Sequence, residues 1–425
     1  MKLSALVCAS SICSSLMFSS VANATDFYDG FDKDKVEGEI TFYTNRTDLV
    51  EAGVYKRYES EFKALFPKVT KVNVIGFADY QGGLRPRMNT EDYGDIVLIL
   101  PSVPSKQYAN FYEPLTDLYD HDDIYFYDTW VDNKGNDVYG ISMGNSLEGL
   151  VYKNAGVKTP LYTIDDLYNA AEKIKASGKI PMYVNFGAQW PLQQWDKFPL
   201  VIAGNENVYE DMLDEKAPFS GNTPYHTSLS VLKNFVTKGY TEKDLMTNSW
   251  EDSKNTFAKG EIGTMYLGNW VIPQLIENGA KSEDIGFMPI PANKDGTLYA
   301  QLNHDWGYAI SKHSKNKDTA KAYLKFLIEK SDFDTIAGFI PTLLDKDIQS
   351  PQLKEYMSYK PKILTTPINS TEFIAATNRS KIDFYSGGYI QDLITASDFD
   401  AALKKLDSRW LNALQKVRSS EDSRD

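Results

Sequence analysis

Between Glu39 and Leu100, three strand-length apolar runs alternate with two helical stretches, and that order leaves few folds open. Glu39–Thr44 (EITFYT) is β-branched and aromatic, as a strand is. A polar loop follows, then a helix with Tyr55, Tyr58, Phe62 and Leu65 on one face and Pro67 as its stop. Lys71–Phe77 is a second strand, and Asp79–Met88 a loop with a short helix. Asp95–Leu100 is a continuous apolar strand ending at Pro101. A β-α-β-α-β order predicts an α/β fold with a parallel sheet covered by helices. Such sheets bind ligands at the carboxyl ends of their strands, which here selects the loops 45–48, 78–80 and 101–104. Asn45, Arg46, Asp79 and Tyr80 are the candidates to hydrogen-bond a polyol there, while Asp48 reads as the cap of the next helix.

Further along, 139–152 (YGISMGNSLEGLVY) is extended and apolar, with Glu148 its only charge, either a ligand group or an edge residue. A helix is expected from Thr163, capped by that residue, with Asp165 and Asp166 in its first turn and Gly178 after its end. Pro181–Phe186 reads as a strand, followed by Trp190-Pro191; Trp195 fits the next helix as a core residue. The stretch 204–256 reads as mostly helical. Two apolar strands then have tryptophans at their edges: Ile262–Leu267 leads into Gly268-Asn269-Trp270, and Gly307–Ser311 follows Asp305-Trp306. A helix with Ala320, Tyr323, Leu324 and Leu327 as its stripe comes next. The segment 343–425 reads as mainly helical, with Arg379 and Tyr385 as its candidate cleft residues.

At 425 residues the chain is too long for one ordinary core, so two domains are expected. Lys2, the apolar stretch 3–18 and Ala22-Asn23-Ala24 make a cleaved export signal, with the mature chain starting at Thr25. That apolar stretch is too short for a membrane span. Both cysteines, Cys8 and Cys13, lie inside the signal, and Ser10-Ser11-Ile12 is a poor lipidation context. The reading is a periplasmic protein without disulfide, thiol nucleophile or cysteine metal site. A net charge of −13 argues against nucleic acid and anionic lipid as partners. Aromatic residues reach 13%, with 27 Tyr and 7 Trp, more flat amphipathic rings than a core requires; such rings stack on sugars.

Six motifs in order carry a family resemblance. Phe257–Met265 with Gly268-Asn269-Trp270 resembles an "FxxGxxAM…GxW" segment of extracellular solute-binding proteins of carbohydrate uptake ABC transporters, the maltose-binding-protein-like family 1. Ile285–Pro291 (IGFMPIP), Tyr308–Leu327, Gly338–Pro341, Gly149–Asn154 and Trp190-Pro191 resemble further segments of it. The resemblance implies a two-lobe periplasmic-binding-protein fold (Venus flytrap, type II) with three inter-lobe crossings. Lobe one would be 25–143 plus 307–340, and lobe two 144–306 plus 341–425. It further implies a monomer without cofactor that binds a sugar or oligosaccharide by hinge closure and passes it to membrane permease subunits. Trp270 and Trp190 fall on sugar-stacking positions, and Ser146 and Glu148 near the crossing segment. Trp306 joins them as a stacking candidate; Asp305 and Asn269 join as polar ones. The loop after Leu100 departs from the family by lacking an aromatic.

Two rival readings stay open. The same fold could take a polyamine or a metal ion in a Tyr-rich acidic cleft, although no cysteine remains and the four histidines are scattered. An exported glycoside hydrolase would need two facing carboxylates, for which Asp305 and Glu148 could pose. No HExxH or GxSxG motif accompanies them.

Overall fold

The computed structural model describes residues 31–421 except 78, 155–156, 158–159, 366–368 and 385. The export signal, Tyr385 and the Pro367 turn therefore lie outside the described residues. The strands are β1 Gly38–Thr44, β2 Val69–Gly76, β3 Ile96–Leu98, β4 Tyr112–Glu113, β5 Ile141–Ser142, β6 Asn145–Lys153, β7 Ile180–Met182, β8 Ile262–Gly268, β9 Ile285–Met288, β10 Tyr299–His304, β11 Gly307–Ser311 and β12 Lys362–Thr365. The helices of eight or more residues are α1 Val54–Leu65, α2 Tyr80–Arg87, α3 Ile164–Ala176, α4 Gln194–Ala203, α5 Pro224–Thr237, α6 Trp250–Ala258, α7 Lys317–Glu329, α8 Pro351–Ser358, α9 Thr371–Ser380, α10 Gly388–Thr395 and α11 Phe399–Glu421. The chain divides into two compact units, Met1–Pro114 with Ala309–Phe326, and Leu115–Tyr308 with Leu327–Asp425.

In the first unit the strand order runs β2-β1-β3-β11-β4. β1 pairs in parallel with β2, ending Thr44 opposite Gly76, and with β3 through Phe42 and Ile96. β3 is shorter than the apolar run that announces it. Asp95, at its start, ties neighbouring segments: its carboxylate accepts the Thr41 N–H at 2.7 Å and the Ser314 hydroxyl at 2.6 Å. At the other end Ile99 and Leu100 stay buried outside the ladder, ahead of Pro101. Phe62 of α1 packs on Tyr323 and Phe326 of α7, with centroids 5.1 and 5.5 Å apart. Phe62 and Tyr323 belong to the apolar stripes that the 3.6 period predicts, and Phe326 adds to the second.

The second unit is built on a sheet of order β12-β10-β6-β8-β7, with β9 also pairing β6. β6 is buried at every residue and antiparallel to β8, β9 and β10. Apolar side chains cover both faces of the sheet. Leu150 and Tyr266 belong to a core with Trp195, Phe198 and Trp410, while Val151 and Met265 belong to another with Phe257 and Leu275. α3 starts on a capping box, Thr163 Oγ1 accepting the Asp166 N–H and the Asp166 carboxylate accepting the Thr163 N–H.

Two local expectations need correction, and one strand was not expected. The run 181–186 is strand only to Met182. The N–H groups of Val184 and Phe186 turn to the Glu242 carboxylate instead, at 2.9 and 2.7 Å, and Asn185 takes φ 53°. The stretch 204–256 holds only α5, a short helix at Val208–Asp211 and the start of α6 among otherwise irregular segments. The region 343–425 contains a strand, β12, parallel to β10. Only Leu364 of β12 is buried, so this strand lacks the apolar signature that periodicity detects. Among the described residues no helix is long and apolar enough to cross a membrane.

Candidate functional site

Strand register gathers the candidates of the second unit at one edge of its sheet. Glu148 lies opposite Gly268, and Asn145 opposite His304. β7 runs parallel to β8. The start of β6, the ends of β8 and β10 and the segment after β7 therefore share an edge. Trp190, Trp270, Asn269, Glu148, Asp305 and Trp306 all lie on these segments.

Three half-buried indoles meet there. Trp190 approaches Trp270 with centroids 5.7 Å apart and Trp250 with centroids 4.9 Å apart; Trp250 and Trp270 are 6.0 Å apart. Trp250, the first residue of α6, is absent from the sequence candidates because it reads as one more apolar residue of a helical stretch. Lys254, one turn on, places its ammonium 4.9 Å from the Trp250 ring centre. Trp195 is a core residue, as expected.

The segment holding Trp190 is fixed from several sides. Gln189, just before it, adopts φ 68°, a left-handed conformation that a non-glycine residue keeps only when its surroundings impose it. Gly387 packs against the Gln189 carbonyl, where a Cβ would come within 2.3 Å. Gln391 of α10 donates to the Phe186 carbonyl at 3.0 Å and accepts from Gln189 Nε2 at 3.2 Å. The C-terminal region thus contributes Gly387 and Gln391. Arg379 lies exposed in the last turn of α9.

The polar candidates have varied surroundings. Glu148 is 2% exposed and accepts from Lys197 Nζ at 2.7 Å. Its backbone carbonyl takes the Tyr356 hydroxyl at 2.8 Å. Asn269 is buried and serves the backbone, accepting the Leu147 N–H at 2.6 Å and donating to the Gly338 carbonyl. Asp305 and Trp306 are half-buried, and the Asp305 N–H bonds the Gly144 carbonyl at 3.0 Å. Ser146 is buried on β6. Beside Lys197, the buried Asp196 accepts the Tyr389 hydroxyl. Burial holds the Asp196 carboxyl well above the usual carboxylate range, against the opposing effects of Tyr389 and Lys197.

In the first unit, Asn45 and Arg46 follow β1 while Asp79 and Tyr80 follow β2, on adjacent strands of the same direction. Arg46 grips Asp48 through two nitrogens, Nε at 2.9 Å and Nη2 at 2.7 Å. Asp48 therefore pairs with Arg46 and is not the N-cap of the short helix Thr47–Glu51, whose cap position is Arg46 itself. Asp79 is an N-cap, accepting the Gly82 N–H at 3.0 Å at the start of α2. The Tyr80 hydroxyl donates to the Tyr43 carbonyl at 3.2 Å and accepts the Leu98 N–H at 2.7 Å, joining β1 to β3. Burial pushes that phenol far above its ordinary pKa. Tyr43 and Phe77 stack 5.1 Å apart, with the Arg87 guanidinium 4.9 Å from the Phe77 ring. Among the described residues, no group of three or more His, Cys, Asp or Glu side chains could hold a metal ion.

Two sheets of this strand order, with a cluster of indoles at one sheet edge, define an α/β binding-protein fold. The family model described as "Bacterial extracellular solute-binding protein" matches residues 43–332, and the chain belongs to that family. An uncharacterized ABC transporter extracellular-binding protein of Pyrococcus horikoshii is 26% identical over 278 residues, 63% of this chain and 59% of the relative's length. A putative binding protein of Brucella abortus is 25% identical over 286 residues, 63% of this chain and 68% of its own. Among solved structures, a manno-oligosaccharide specific solute binding protein of Bifidobacterium animalis subsp. lactis, in complex with mannotriose, superposes with a TM-score of 0.81. It is 25% identical, covering 91% of this chain and 97% of that one. A sugar transporter protein of Bacillus licheniformis, in complex with stachyose, has a TM-score of 0.66 at 18% identity, covering 89% and 99%.

Proposed function

We propose that this protein is the substrate-binding component of an ABC transporter, capturing a neutral oligosaccharide and delivering it to membrane permease subunits. The observation that carries the reading is the cluster of Trp190, Trp250 and Trp270, with ring centres 4.9 to 6.0 Å apart at a strand-end edge. Half-buried indoles present flat apolar faces that suit pyranose rings. The mannotriose and stachyose complexes of the structural relatives support the same class of ligand. Lys197 engages Glu148 at 2.7 Å, so the Glu148 carboxylate offers a polyamine no uncompensated charge. The role is binding without turnover. The expected division into lobes 25–143 with 307–340 and 144–306 with 341–425, closing by a hinge on the ligand, belongs to this proposal, as do export to the periplasm and the monomeric state.

Titration calorimetry of the mature chain against mannobiose, mannotriose, raffinose, stachyose, spermidine and divalent cations tests it. One saccharide should bind and raise the melting temperature. Binding confined to spermidine or a cation would overturn the reading, and release of monosaccharide from any of the glycans would show an enzyme.

A further inference from the structure

Two non-glycine residues with left-handed backbone flank the single 3-10 turn ahead of Trp190: Asn185 at φ 53°, ψ 45° and Gln189 at φ 68°, ψ −60°. Asparagine visits this part of backbone space at low cost. Gln189 has no such licence. Its angles mirror those of the common inverse γ-turn, a conformation that is rare and strained for an L residue. Such strain persists only where neighbours over-determine it. Two neighbours do so here. On one side Gly187 packs on the segment that leads into Trp250, where a Cβ would come within 2.1 Å of the Thr247 carbonyl oxygen. On the other side stands α10, with Gly387 against the Gln189 carbonyl. The Phe186 carbonyl accepts the Gln189 N–H at 3.1 Å and Gln391 Nε2 at 3.0 Å. Gln391 Oε1 accepts from the Gln189 side-chain amide at 3.2 Å. Gln391 thus closes the turn at both its ends. Released from it, Gln189 gains by relaxing to negative φ, and a rotation there swings the next residue, Trp190.

We propose that Gln391 is a positioning residue of the saccharide site, holding the strained Gln189 turn that aims the Trp190 indole. The turn is then a two-state element, aimed while Gln391 bridges it and relaxed otherwise. Affinity falls with the fraction of molecules in the aimed state. The inference rests on the saccharide reading above and goes beyond it by naming a residue that acts on the ligand through another.

A double-mutant cycle with glycine at position 189 tests it. Glycine takes positive φ without the steric penalty, so Gln189→Gly has no strain to brace. Mannotriose, raffinose and stachyose are titrated into wild type, Gln391→Ala, Gln391→Glu, Gln189→Gly and the two double variants, with a melting temperature for each. In the Gln189 background, Gln391→Ala should weaken the tightest saccharide about 5- to 20-fold. Gln391→Glu should do the same, because a carboxylate cannot donate to the Phe186 carbonyl, and it carries the comparison if the alanine variant does not fold. In the Gln189→Gly background either change should cost about twofold or less. A glutamine that merely supports the fold would cost the same in both backgrounds. Equal penalties in the two backgrounds, or none in either, would overturn the assignment while the saccharide reading stands. A wild type that binds none of the three saccharides would overturn both.

Discussion

The indoles of Trp190 and Trp250 meet edge to face, their centroids 4.9 Å apart and their planes at 74°. They come from different segments: one follows β7 and the other opens α6. Each such aromatic pair contributes about 0.5–1.5 kcal/mol beyond its buried area. Removing Trp250 breaks its contacts with Trp190 and Trp270 together. Trp250→Ala is expected to weaken saccharide binding at least tenfold, about 1.4 kcal/mol, while circular dichroism stays native. Unchanged affinity by calorimetry would take Trp250 out of the site.

Asp79 offers a test that separates folding from binding. Its carboxylate caps α2 through the Gly82 N–H, and the side chain lies exposed. Asp79→Ala should lower stability by about 1 kcal/mol in urea denaturation, the usual cost of a lost cap. Saccharide affinity should remain within twofold. A large loss of affinity with unchanged stability would return Asp79 to the ligand.

The buried Asp196 carboxyl makes a prediction about pH. Burial raises its folded-state pKa well above the ordinary 3.8. As pH rises past that ordinary value the unfolded chain gives up this proton while the folded chain keeps it, so stability falls with pH from this group. The contribution is therefore most favourable in acid and is lost as pH climbs toward the raised pKa. Asn at this position still accepts from Tyr389 and has no proton to lose. The melting temperature of Asp196→Asn minus that of wild type should increase from pH 4 to pH 7. A difference that is flat or reversed in sign would contradict the assignment.

Arg46 and Asp48 form a forked pair that lysine cannot reproduce. Arg46 is 8% exposed, so its partner is left beside a poorly fitting ammonium in Arg46→Lys. A stability loss of about 1–2 kcal/mol is expected, read as a lowered urea midpoint. No change would mean that the fork contributes nothing to holding the β1 loop.

Legibility in the sequence followed the range of the interactions. β1, α1 and β2 are visible because burial there is periodic over short spans, and α3 because its cap, Thr163, and Asp166 lie three residues apart. Trp270 and Trp190 stood out as rings at strand ends. Trp250 did not, because only the fold brings it to them. Lys197 carries no local signal, since its partner Glu148 lies 49 residues away. Gln391 and Tyr389 reach Phe186 and Asp196 across 205 and 193 residues. β12 was missed because its backbone, rather than its side chains, attaches it to β10. Asp48, expected as a cap, pairs with Arg46, and Asp79 caps α2.

The bracing of the Trp190 segment by Gly387 and Gln391 sets an order of events. A chain made from its N-terminus presents β7, Trp190, α6 and β8 well before residues 387–391 exist. Until they arrive, Gln189 has neither the glycine packed on its carbonyl nor the glutamine on its side-chain amide to hold it left-handed. The Trp190 side of the indole cluster thus depends on residues about 200 positions later in the chain. A chain that stops short of α10 could build most of the second sheet and still lack a fixed binding surface, which ties competence to bind to completion of the polypeptide.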